Sequence, residues 1–118
     1  MAAKLSTHIL DIMNGCPAAG MSVELWEIHG TERRLLRHAM TNSDGRTDAP
    51  LLSGEEVVCG EYELLFYVGD YFRGKLNSPL TPLFLERVPV RFHINDSLAA
   101  YHVPLLCSPW AYSTYRGS

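Results

Sequence analysis

Hydrophobic and polar positions alternate with a period of two along most of this chain, which is the signature of half-buried strands. Residues 5–12 place Leu5, Thr7, Ile9 and Asp11 on one face and Ser6, His8, Leu10 and Ile12 on the other. After the turn-rich Asn14-Gly15-Cys16-Pro17, residues 21–28 send Met21, Val23 and Leu25 inward, and the neighbouring Trp26 marks a slip or bulge. Gly30-Thr31-Glu32 closes a hairpin into residues 35–41. Asn42-Ser43-Asp44-Gly45 is a strong turn signal with Arg46 just beyond it, and a short strand is expected over 49–52. Residues 62–68 are apolar on both faces, so both are expected to be covered. Asp70 is expected to cap a short helix over 71–76, which Pro79 and Pro82 keep from extending. Residues 87–94 alternate again, with Pro89 arguing for a bulge or an edge.

About eight short strands separated by turns, with one short helix, predict an all-β two-sheet sandwich. The 118 residues suit a single domain spanning 1–118, without a linker or second domain. Charge adds little to this picture. The net value is −3 and the basic residues are scattered, so no nucleic-acid footprint is expected. Cys16, Cys59 and Cys107 form no CxxC pair and leave one over whichever two are joined, which predicts free thiols in a reducing compartment. The start Met1-Ala2-Ala3-Lys4 runs into a strand without a signal-like apolar core, and no stretch is long enough to span a bilayer. The expected location is the cytoplasm, with no membrane partner.

The last eighteen residues are unusually structured for a chain end. Ser108-Pro109 splits them into a hairpin whose first arm sends Tyr101, Val103, Leu105 and Cys107 to one face and His102, Pro104 and Leu106 to the other. Both faces are largely apolar, so a partner subunit is expected over the second. His8 and His102 draw attention here, because each lies on a face expected to meet water yet has leucine or proline neighbours. Partial burial would lower their pKa and leave a neutral base near pH 7; the plainer alternative is two interface histidines packed on a partner. Arg46 alone reads as an ordinary loop arginine, and Tyr115 and Ser118 as side chains free to dangle in solvent. His29, His38 and His93 sit among charged residues and need no role beyond a solvated face. No nucleophile elbow, phosphate loop or His-Glu-x-x-His pair is present, and His8 with His102 lacks further ligands for a metal.

The run Leu106-Cys107-Ser108-Pro109-Trp110-Ala111-Tyr112-Ser113-Thr114 resembles the C-terminal signature of the transthyretin family. The ending Tyr115-Arg116-Gly117-Ser118 is similar to the tetrapeptide of that family's enzymes, the 5-hydroxyisourate hydrolases, which the hormone carriers lack. Leu5-Ser6-Thr7-His8-Ile9-Leu10-Asp11, Thr41-Asn42-Ser43-Asp44-Gly45-Arg46 and Gly60-Glu61-Tyr62-Glu63-Leu64 follow the family in order, so the resemblance covers nearly the whole chain. It implies a transthyretin-like sandwich assembled as a homotetramer, a dimer of dimers. It also implies ring opening of 5-hydroxyisourate to 2-oxo-4-hydroxy-4-carboxy-5-ureidoimidazoline in urate catabolism, without cofactor or metal. His8, Arg46 and His102 fall on the family's catalytic positions, and His8, Arg46, Tyr115 and Ser118 on its substrate side. Tyr115 is expected to continue the Ser113 face of the last strand toward His102, carrying Ser118 to the pocket rim. Which histidine takes the proton stays open, and the competing function is a carrier of a small aromatic ligand.

Overall fold

The computed structural model describes residues 2–76 and 82–118; the expectation for Pro79 lies outside them. Among the described residues two sheets face each other. The first joins β1 (Lys4–Asp11) to β8 (Ala100–Cys107), with β9 (Tyr112–Thr114) beyond β8 and the two-residue β2 (Cys16–Pro17) and β5 (Leu52–Ser53) at opposite ends of β1's other edge. The second runs β4 (Glu32–Met40), β3 (Ser22–His29), β6 (Gly60–Phe66), β7 (Val88–Ile94). The sandwich and its turns agree with the alternation pattern, and among the described residues there is one α-helix, as expected.

Inward faces follow the period-two reading. Leu5, Ile9, Val23, Leu25, Leu64, Phe66 and Leu105 are all fully buried between the sheets. Each such side chain contributes roughly 1.5–3 kcal/mol of transfer free energy. Thr7 and Asp11 share that face because their polar atoms are satisfied there: the Thr7 hydroxyl donates to the Val103 carbonyl at 2.7 Å, and the Asp11 carboxylate accepts from Tyr71 and Asn14, each at 2.7 Å. The β3–β4 register shifts between Leu25 and Trp26, where the alternation breaks. Pro89 lies in β7, at the free edge of its sheet, so its missing N–H interrupts no ladder on the outer side.

The helix departs from expectation at its start. It spans Val68–Leu76 rather than beginning at Tyr71, because Val68 and Phe72, four residues apart, both bury against the core. Asp70 therefore sits inside the first turn, ion-paired to Arg73, and is not the cap. β4 begins earlier than expected, directly after the Gly30-Thr31 turn, and β5 is displaced to Leu52–Ser53. Cys16 and Cys59 are exposed and Cys107 is buried, all three as free thiols. Among the described residues no helix is long and apolar enough to cross a membrane.

Candidate active site

β1 and β8 lie side by side in parallel, with Ser6 opposite His102, His8 opposite Pro104 and Leu10 opposite Leu106. This register brings the two histidines of the outer face onto neighbouring strands, although 94 positions separate them in the chain. Two further segments then close on them from opposite sides.

On one side the turn at Asn42–Arg46 fills the gap that β2 and β5 leave on the edge of β1. The Ile9 N–H donates to the Gly45 carbonyl at 2.8 Å, and Arg46 forms a single antiparallel bridge with His8. The turn holds its own shape: the Asn42 side-chain carbonyl accepts from the N–H of Asp44 at 2.9 Å and of Arg46 at 3.2 Å. Gly45 has φ +75°, and a Cβ there would stand 2.4 Å from the Ile9 carbonyl oxygen, so glycine is required for both conformation and space. The Asp44 carboxylate accepts from Arg46 Nε at 2.9 Å, which orients the guanidinium while leaving its outer N–H fork for a ligand.

On the other side the tail returns to β8. Beyond β9 it keeps the hairpin register and bridges again at Gly117, whose N–H donates to the His102 carbonyl at 2.8 Å. Bridged residues project to the same face, so any side chain at 117 would point at His102; a Cβ there would lie 2.6 Å from the ring's Cδ2. Gly117 is thus a flat surface against which the imidazole rests.

Lys4, Ser6, Arg46, His102 and Ser118 line an open cleft of ≈310 Å³ between these two segments. Burial holds the His102 imidazole below its ordinary range, and the charges of Arg46, His8 and Lys4 push in the same direction. These causes all favour the neutral imidazole, the form in which a ring nitrogen can accept a proton. His8 stands beside the cleft on β1, its Nε2 2.9 Å from the Asp44 carbonyl oxygen. A carbonyl only accepts, so Nε2 carries the proton and, in neutral His8, Nδ1 holds the free lone pair.

The structure thus brings Arg46, His102 and Ser118 into one cleft with His8 at its side. It does not bring Tyr115 there. Tyr115 is 60% exposed and contributes to the lining of a separate cavity of ≈330 Å³ with Val103, Thr114 and Arg116, while the tail's register sets it opposite Pro104. Arg116 stacks on Tyr101, 4.5 Å from the ring centroid. His29 pairs with Glu27 and His38 bonds the Ser22 hydroxyl, both away from the cleft. Lys4 and Ser6 are cleft residues that the alternation pattern leaves unmarked, because a lysine or serine on an outer strand face is what any solvated strand carries. Their only signal is the spacing of two that puts them on the face of His8.

A model of the HIUase/Transthyretin family matches residues 5–117. 5-Hydroxyisourate hydrolase 2 of Rhizobium meliloti (strain 1021) is 50% identical over 117 residues, 99% of this chain and 98% of that protein. Among solved structures, (S)-allantoin synthase superposes with a TM-score of 0.90 at 43% identity, covering 99% of this chain, which spans 44% of that longer one. Transthyretin from Sparus aurata gives 0.84 at 21% identity over 98% of this chain and 97% of its own, a likeness of fold. A family model spanning nearly the whole chain and a half-identical relative matched end to end show that this chain belongs to the HIUase/Transthyretin family.

Proposed function

We propose that this chain hydrolyses 5-hydroxyisourate, with the cleft between the Asn42–Arg46 turn and the tail as its active site and residues 1–118 as one domain. The observation that carries this reading is His102, an imidazole kept neutral by burial and positive neighbours in a cleft it shares with Arg46 and Ser118. A carrier pocket needs fitted shape but has no use for a depressed base facing a guanidinium. The half-identical relative of Rhizobium meliloti, matched end to end, carries the name of the same activity.

In this reading water is the nucleophile. His102 takes its proton as the oxygen attacks a ring carbonyl, and the proton is returned to the ring nitrogen when the C–N bond breaks. Arg46, held from behind by Asp44, offers N–H donors to the oxyanion that develops. His8 and Ser118 orient the substrate from the two sides. No covalent intermediate and no cofactor enters these steps.

The outer face of β1 and β8 continues from the site, past the buried Pro104, into the half-buried Leu10 and Leu106. A second copy laid over that apolar end supports a homotetramer built as a dimer of dimers. The three free thiols support a reducing, cytoplasmic location.

The test is direct. 5-Hydroxyisourate is generated in a cuvette from urate and urate oxidase, and its decay is followed with and without this protein. Acceleration beyond the spontaneous rate is the expected result; an unchanged decay overturns the assignment.

A further inference from the structure

Ser6 and His102 meet across the parallel pair of strands, the Ser6 hydroxyl oxygen standing 2.9 Å from His102 Nδ1. Both line the same cleft, and both are half-buried. Hydroxyl and imidazole nitrogen can each donate or accept, so distance alone leaves the direction of this bond open. Three features of the surroundings decide it.

The ring is backed on one side. Gly117 lies against its Cδ2 side and is tied by its own N–H to the His102 carbonyl, so rotation about the side-chain bonds is blocked there. Burial disfavours a charge on the ring, and so do Arg46 from the turn and His8 and Lys4 from β1, although the chain's terminal carboxylate at Ser118 also lines the cleft; the imidazole therefore carries one N–H and one free lone pair. Nε2 has no partner among the described residues and is the nitrogen left for water, so a lone pair there places the N–H on Nδ1, against the serine. The serine is also the only partner for Nδ1 among the described residues, whereas a serine oxygen has two lone pairs to accept with.

We infer that Ser6 is the positioning residue of the site: its Oγ accepts the Nδ1–H of His102, fixing the tautomer that presents the Nε2 lone pair to the attacking water. This rests on the hydrolase reading for its consequence, but the hydrogen bond itself does not. The same bond strengthens when His102 becomes imidazolium in the transition state, since its acceptor then faces a charged donor.

The experiment uses two readouts on the full chain. Histidine-selective ¹⁵N labelling of the wild-type protein, at a pH where His102 is neutral, is expected to show His102 protonated at Nδ1; in Ser6→Ala that tautomer gives way to the Nε2–H form or to a mixture. In the decay assay, Ser6→Ala is expected to lower kcat about tenfold with KM within about twofold, and Ser6→Thr, which restores the hydroxyl, to return most of the loss. Wild-type His102 found as the Nε2–H tautomer overturns the inference whatever the kinetics. Equal kcat in Ser6→Ala and wild type overturns it too. If the wild-type protein leaves 5-hydroxyisourate decay unchanged, the hydrolase reading fails, and the NMR result still decides the Ser6–His102 bond on its own.

Discussion

His102 carries a pH dependence whose sign follows from its surroundings. Burial first, and then Arg46, His8 and Lys4, disfavour its protonated form in the folded chain relative to the unfolded one. The unfolded chain therefore binds the proton more readily below about pH 6.5, so this group's stability contribution is present above that pH and is lost as pH falls through the lower, folded value. Activity follows the same limb: kcat/KM is expected to hold near neutrality and to drop only below pH 6.5. In Lys4→Gln, with one positive neighbour removed, that limb is expected to move upward, which a pH–rate profile reads directly; a downward shift would contradict the assigned cause. Replacing His102 or His8 by alanine is expected to cost about two orders of magnitude in turnover with the fold intact, whereas His38→Ala, whose ring bonds Ser22 away from the cleft, should cost little. Turnover within about twofold of wild type for either of the first two would return that histidine to a packing role. The histidines were legible from the chain because they break an expectation, lying among leucine and proline where charge would be ordinary. Ser6 breaks none, and only the pairing of its strand gives it a meaning.

At the scale of elements, the alternation pattern tells which face each residue of β1 and β8 occupies but not which strand lies beside which. Their parallel pairing joins segments nearly a hundred residues apart, and no local signal records it. The helix start was missed for a related reason. Val68 and Phe72 are apolar at a spacing that serves strand and helix alike until the core decides between them. The tail was read correctly as structured, but its contact was not foreseen: Gly117 rests on the imidazole itself, and Tyr115 is not among the residues lining the cleft. A clear outcome follows. Stopping the chain after Thr114 removes Gly117 from the ring and Ser118 from the cleft, and is expected to lower kcat/KM at least about tenfold, roughly 1.4 kcal/mol of transition-state stabilisation. Melting should stay nearly unchanged, because the segment is largely exposed. Gly117→Ala is expected to lose a similar factor by pushing the ring off Ser6. Full activity in both variants would make the tail a mere finish to the strand.

For the whole molecule the question is what covers the outer face of the first sheet. Along β1 and β8 it passes from a polar end, with Ser6 opposite His102, through His8 and Pro104, to an apolar end where Leu10 meets Leu106. Ile12, Met13 and Trp110 add apolar surface close to the same strand ends, with Trp110 65% exposed. Under the proposed assembly, a second copy seated on the leucines would wall the cleft without blocking its charged residues, because the polar site grades into apolar surface within one pair of strands. Light scattering at micromolar concentration is therefore expected to give a tetramer. Leu106→Glu, which puts a carboxylate on the apolar end but touches none of Arg46, His102 or Ser118, is expected to yield smaller species and to reduce turnover along with assembly. Because assembly depends on concentration and the chemistry of a complete site does not, diluting this variant and the wild type separates the two effects. A wild-type chain that stays monomeric and fully active at micromolar concentration would mean that one copy already holds a finished site, and that the apolar end of the sheet has another use.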